Sequence, residues 1–277
     1  MHFFKTVFNL IKDLVSRYFD HEVGQSGGQI AYFSLLSFFP FIIYMNTVLT
    51  VINVSGRKLI TFISSLLPPE ITSFLDMYIA DIANVHTSSI VSLSIITTVY
   101  SANRVMRSFE TALNKAYGTD DKRGVIHGFL TSVLFTVCLA ITGIAVIILT
   151  VASENVLMYL LSSHKVSANI ITYLMIFKWV ITLLIMFLSV SSFYYYMPIK
   201  KVSYKSVIPG TITTILGISI FSLIFNGYIK FAAGFSVIYS SIGAVFLLIF
   251  WLYFAGVILV MGAEINNALE KITPLKK

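Results

Sequence analysis

Long apolar runs separated by short polar breaks set the predicted elements of this chain. Six are read: Ala31–Val54, Ser88–Asn103, Ile126–Ala152, Trp179–Tyr196, Val207–Phe231 and Ile238–Met261. A bilayer core about 30 Å thick takes roughly 20 apolar residues of helix to cross. The runs are continuous and lack the two-residue alternation of barrel strands, so they predict helices. The second is the shortest. Ahead of the first, Phe3, Phe4, Val7, Phe8, Ile11, Leu14, Val15 and Tyr18 recur at three- and four-residue steps. That spacing makes one face of an amphipathic helix. It either lies along the cytoplasmic surface or packs under the bundle. Gly24, Gly27 and Gly28 predict a bend into the first run, so residues 1–27 read as a helix and a bend.

Residues 55–87 read as an external segment with amphipathic character on both sides of Pro68-Pro69. Leu59, Phe62, Ile63 and Leu66 precede the break, and Phe74, Leu75, Tyr78 and Ile82 follow it. Two short helices capping the outer face, or a lid over a cavity, both fit. Past the second run, Val105, Met106, Phe109, Leu113 and Tyr117 prolong an apolar helical face, which Gly118, Asp120 and Asp121 end. Pro198 closes the fourth run, and Pro209-Gly210 falls near the start of the fifth, where a first-turn proline costs no bond. Gly210, Thr214, Gly217, Gly243, Gly256 and Gly262 are expected to let helices approach closely.

The expected fold class is therefore all-α: a polytopic membrane protein with six transmembrane helices plus amphipathic interfacial helices, residues 1–277 forming one integral membrane domain. Composition agrees. The chain is 57% hydrophobic and 11% charged, where soluble domains run near 25% charged. The formal charge of +7 would raise nucleic acid as a partner in a soluble protein, but its distribution argues otherwise. Fourteen basic residues, among them Lys5, Arg17, Arg104, Arg107, Lys115, Lys200, Lys205 and Lys277, fall in the N-terminal arm, alternate gaps and the tail. The opposite loops hold Arg57, Lys58 and Lys165. The positive-inside rule then puts both termini in the cytoplasm. The expected partners are membrane lipids with anionic head groups, and a second copy of the chain in a homo-oligomer; nucleic acid is not expected.

No catalytic set stands out. A metal-dependent nuclease needs clustered carboxylates, and the acidic residues here are scattered, Asp120-Asp121 being a polar turn. The histidines lack ligand spacing, and no phosphate-binding glycine loop or nucleophile elbow occurs. No cofactor or metal site is expected. Cys138, alone in the chain, reads as packing.

The candidate site residues come from charge near membrane depth, which is costly. Arg104, Arg107 and Glu110 leave the second run together and share a helix. Arg107 and Glu110 are three apart and can meet. They are an inner-interface anchor, or a cationic cluster for an anionic head group, for which the arginine fork is suited. Glu264, before Asn266 and Asn267, is placed to neutralise an arginine of the second run. Pro40 in mid-run removes a backbone bond. With Asn46 on the same helix, it lines a cavity or serves packing. Lys178, beside Trp179, reads as a snorkelling interface residue.

Four stretches carry a family resemblance: IAYFSLLSFFPFI (Ile30–Ile42), SANRVMRSFETALNKAYG (Ser101–Gly118), YYYMPIKKVSYKSVIPGTITT (Tyr194–Thr214) and IYSSIGAVFLLIFWLYFAGVILVMGAEINNA (Ile238–Ala268). Together they resemble the YihY/BrkB family of bacterial inner-membrane proteins, over nearly the whole chain. The resemblance implies six spans in the plasma (inner) membrane with both termini inside. It brings no catalytic motif: the family's old ribonuclease label is regarded as a misassignment. Roles in virulence, osmotic tolerance and envelope lipids have been proposed for members. The expected function is a transporter, or a lipid- or solute-handling protein of the envelope, without its own ATPase. A non-transport membrane scaffold is the alternative, and a membrane-bound ribonuclease a distant one.

Overall fold

A computed structural model describes residues 2–51, 88–119, 130, 133, 168–232 and 240–272. The regular elements among them are helices: α1 (His2–Asp20), α2 (Val23–Val51), α3 (Ser88–Ala116), α4 (Ala168–Tyr196), α5 (Tyr204–Ala232) and α6 (Ser240–Ile272). The 55–87 segment, Asp120-Asp121, Cys138, Gly234 and all but residues 130 and 133 of the third predicted run lie outside the described residues. Among those described, four stretches are long and apolar enough to cross a membrane: Val23–Ile43, Ile176–Tyr196, Tyr204–Ile229 and Gly243–Lys271.

α3 falls short of that apolarity for a physical reason. Leu93, Ile96, Val99 and Tyr100 form an exposed apolar stripe, while Ser101 and the Thr98 hydroxyl are buried on the other side. A helix that shows lipid its apolar face can carry serines and threonines inward, and averaging over the helix hides the stripe.

α6 is the hub. It packs against α1, α2, α3 and α5; α2 also packs along α3, and α4 along α5. The contacts fix direction. His21, just before α2, meets Glu264, Gly27 meets Val257, and Ile30 meets Gly256, so α2 and α6 are antiparallel. A β-carbon on Gly256 would lie 3.1 Å from Ile30 Cγ2 and 3.6 Å from Gly27 Cα. At the α5–α6 crossing Gly210 and Gly262 approach so closely that a β-carbon on either would collide with its partner helix. Small residues permit such crossings in membranes, where lipid offers no hydrophobic drive for helix association. Further along the same pair, Phe221 stacks on Phe254 at 5.1 Å and Phe225 on Phe250 at 6.1 Å between ring centroids.

Two expectations change. The glycines at 24, 27 and 28 lie inside α2. The bend comes earlier, at the His21-Glu22 turn, where Glu22 takes φ 52°; Gly24 and Gly27 instead make room for Tyr18, Tyr253 and Val257. Pro209 sits beyond the first turn of α5, which begins at Tyr204, so its missing N–H leaves a helical acceptor without its usual donor. α2 continues as a helix through Pro40 to Val51. The expected extension of the second run holds: α3 reaches Ala116, and Val105, Met106, Phe109, Leu113 and Tyr117 are buried. Gly118 at φ +68° closes it, with Gly118 N–H donating to Lys115 O at 3.0 Å and Thr119 N–H to Asn114 O at 2.9 Å. This is a Schellman cap.

Candidate functional site

One end of the bundle gathers the polar chemistry. It holds the α1–α2 turn, the ends of α3, α4 and α6, and the start of α5. Glu22, in the turn before α2, pairs with Lys115 of α3, and that hydrogen bond and positive charge lower the Glu22 pKa below its ordinary value. The connection between α4 and α5 is pinned twice. Ile199 N–H donates to Asn114 Oδ1 at 2.8 Å, and Lys200 Nζ donates to Glu270 Oε2 at 2.9 Å. Asn267 Nδ2 donates to Ala116 O at 2.7 Å and Gly210 N–H donates to Asn266 Oδ1 at 2.6 Å. Tyr194, fully buried, donates to Leu259 O at 2.6 Å and lies 2.6 Å from Thr214 Oγ1. The Tyr117 hydroxyl is buried beside Asn266 without meeting it in hydrogen-bond geometry, and burial raises its pKa.

A cavity of about 230 Å³ opens between α2 and α3 at this end, lined by Gln29, Phe33, Arg104, Arg107, Ser108, Glu110 and Thr111. Three of the predicted site residues, Arg104, Arg107 and Glu110, therefore line one space. The Arg104 guanidinium is held over two rings, 5.8 Å from the Phe33 centroid and 5.6 Å from that of Tyr100. Its Nε donates to the Tyr100 hydroxyl at 3.3 Å. Arg104 is exposed, whereas Glu110 is only 1% exposed. From the cavity, the exposed side chains Leu36, Tyr100 and Ile96 continue along α2 and α3. An anion at the arginines would thus have apolar surface beside it.

The other predicted residues lie elsewhere. Pro40 is about two helical turns beyond Phe33 on α2 and does not line this cavity. Asn46 is on α2, but its side chain falls outside the described residues. Glu264 does not neutralise an arginine of α3. It is 0% exposed and is held by α1: Arg17 Nη1 donates to Oε2 at 3.3 Å, and His21 Nδ1 lies 2.6 Å from Oε1. Arg17 also donates to Asp13 Oδ2 at 2.7 Å. Arg17 entered the sequence reading only as one of the basic residues of the N-terminal arm that set orientation, not as a partner for Glu264. The one signal was its place three residues after Leu14 and beside Tyr18, at the edge of the apolar face. Gln29 and Ser108 were also missed, since candidates were chosen by charge near membrane depth and both residues are neutral and lie outside the apolar runs. Among the described residues, no group of three or more His, Cys, Asp or Glu could hold a metal ion.

Apolar helices with lipid-length runs, inward polar faces and glycine crossings define an integral, helical membrane protein. The chain belongs to the virulence factor BrkB family, whose profile matches residues 14–277. It is similar to the ribonuclease-like protein YfkH of Bacillus subtilis, 30% identical over 265 residues, 95% of this chain and 96% of that protein. It is also similar to UPF0761 membrane proteins. One from Alteromonas mediterranea is 21% identical, covering 99% of this chain and 94% of the relative. One from Prosthecochloris aestuarii is 26% identical, covering 91% of this chain and 59% of the relative. No solved structure matches the chain.

Proposed function

We propose that the α2–α3 cavity receives the anionic head group of an envelope lipid or similar amphiphile, and that the protein moves such molecules within the bacterial plasma membrane. The observation that carries this reading is the pair Arg104 and Arg107 lining one cavity, with Arg104 already oriented by Phe33 and Tyr100. A ring-held guanidinium loses less freedom when it meets phosphate than a free one would. A space of about 230 Å³ is smaller than the pockets that enclose drug-sized ligands. It suits a head group whose chains stay outside, along Leu36, Tyr100 and Ile96. No phosphate-binding glycine loop is present in the sequence, so movement would use a gradient, a partner or downhill flow.

The expected orientation has both termini in the cytoplasm. The support is that the end of the bundle bearing Arg17, Lys115, Lys200 and Lys271 is also the basic end of the sequence. Reporter fusions at Lys277 and after His164 should read cytoplasmic and periplasmic respectively; the reverse would sink it.

A membrane scaffold is the alternative reading, and it makes the cavity incidental. The nuclease name belongs to the relative. Glu110 is the cavity's one carboxylate, whereas two-metal phosphodiester chemistry needs several. Purified protein in nanodiscs of mixed anionic and zwitterionic phospholipid separates the readings by native mass spectrometry. Wild type should retain anionic lipid preferentially, and Arg104→Gln/Arg107→Gln should lose that preference with its mass and yield unchanged. Equal retention by both proteins would remove the site.

A further inference from the structure

Glu264 has no part in the α2–α3 cavity, yet it is a fully buried carboxylate in the apolar helix α6. Burying such a charge is expensive unless it is paired. Its partners come from α1 and the turn after it: Arg17 at 3.3 Å and His21 at 2.6 Å. The His21 side chain is 27% exposed, so one imidazole touches both water and the buried acid. An ionised carboxylate only accepts hydrogen bonds. Nδ1 must therefore carry the proton that meets Oε1, which leaves Nε2 to the water side.

We propose that Glu264 is a proton-binding site, loaded from the cytoplasmic water through His21, and that its protonation releases α1 from α6. A proton from water joins Nε2 as the Nδ1 proton passes to Oε1. The imidazole ends neutral, as its other tautomer, and accepts a hydrogen bond from the new carboxylic acid. One proton enters and one moves, so charge and atoms balance with no other reactant. A neutral Glu264 no longer holds Arg17, whose guanidinium keeps Asp13, 2.7 Å away on α1 itself. α1 then loses its ionic tie to the bundle.

The surroundings isolate this pair. From α1 and its turn, Asp13, Arg17 and His21 face it. At the start of α2, Glu22 is occupied by Lys115 of α3. Tyr117 follows α3 as the neighbouring ionisable group and feels the Glu264 charge. α5 presents Gly210 and Thr214 to this stretch of α6, neither of them ionisable. On α6, Glu270 is paired with Lys200. The other side of α1 holds it to no described element: Phe8, Ile11, Val15 and Phe19 are exposed. The turn that would act as the hinge contains Glu22 at φ 52°.

Hydrogen–deuterium exchange of the full chain in nanodiscs tests this without any transported ligand. After correction for intrinsic rates, α1 amides from Asp13 to Asp20 should exchange roughly ten- to a hundredfold faster at about pH 5.5 than at about pH 8, the loss expected for a charge-assisted bond. Amides at the α5–α6 crossing should not change. Glu264→Gln, a neutral isostere, should exchange fast at both pH values. A pH-independent α1 in wild type, or a full pH response in Glu264→Gln, overturns the proposal. If the Gln variant does not assemble, Glu264→Asp replaces it: a displaced midpoint supports the site and an unchanged one overturns it. In a rapid pH drop followed by infrared spectroscopy, His21→Gln should slow the appearance of the carboxylic acid band without changing its final height. An unchanged rate would remove the shuttle.

Discussion

Gly210 and Gly262 show how single residues set the bundle. Each lies where a β-carbon would strike the facing helix: Gly210 against the Gly262 carbonyl and Asn266, Gly262 against Thr214 and Tyr194. Those neighbours are themselves locked. Asn266 accepts from the Gly210 N–H and Tyr194 bonds Leu259 O, so they cannot step aside cheaply. Gly210→Ala and Gly262→Ala should each destabilise the protein by about 1–3 kcal/mol, the usual cost of overpacking. Gly227, with nothing near its β position, is the control. Gly227→Ala should be neutral or gain up to roughly 1 kcal/mol from helix propensity. Thermal unfolding in detergent, read by loss of monodisperse protein, checks the contrast. Equal behaviour of the three variants would contradict the crossing.

At the scale of elements, α3 is the instructive helix. Its sequence looks too polar to face lipid, yet Leu93, Ile96 and Val99 are exposed while Thr98 Oγ1 and Ser101 Oγ are buried without hydrogen-bond partners. Substitutions on the two faces should have opposite effects. Thr98→Val removes a buried unpaired hydroxyl at constant shape and should leave stability equal or higher. Ile96→Lys puts a charge on the lipid face and should cost up to about 2.5–3.5 kcal/mol, less towards the interface. Membrane-fraction yield and melting temperature report both. A stable Ile96→Lys beside an unstable Thr98→Val would turn the helix around.

The same helix shows what the sequence made legible. The span and its continuation to Tyr117 could be read from periodicity, because Val105, Met106, Phe109 and Leu113 recur on one face. Arg104, Arg107 and Glu110 could be grouped because helical spacing is local. The partners from α2, Gln29 and Phe33, could not, since α2–α3 register depends on packing along the whole pair. Glu264 was recognised as costly, but its arginine was sought on α3. The pairing with Arg17 depends on the direction in which the Glu22 turn returns α1, and one positive φ angle sets that direction. The glycines of α2 misled for a related reason: a glycine signals a turn or a close contact, and only the facing Tyr253 and Val257 decide which.

At the scale of the whole molecule, α6 joins two polar devices at one end of the bundle. It packs beside both helices of the arginine-lined cavity, and it carries the buried Glu264 held by α1. If the cavity serves movement of anionic amphiphiles, lipid translocation should depend on its arginines. Reconstitution into vesicles carrying fluorescent short-chain phospholipid, with the outer leaflet bleached by dithionite, tests it most directly. Wild type should expose the inner-leaflet pool of an anionic analogue faster than that of a zwitterionic one, and Arg104→Gln/Arg107→Gln should return the anionic rate to that of protein-free vesicles. Wild-type vesicles that bleach no faster than protein-free ones, or a double variant as fast as wild type, would rule out lipid movement through this cavity.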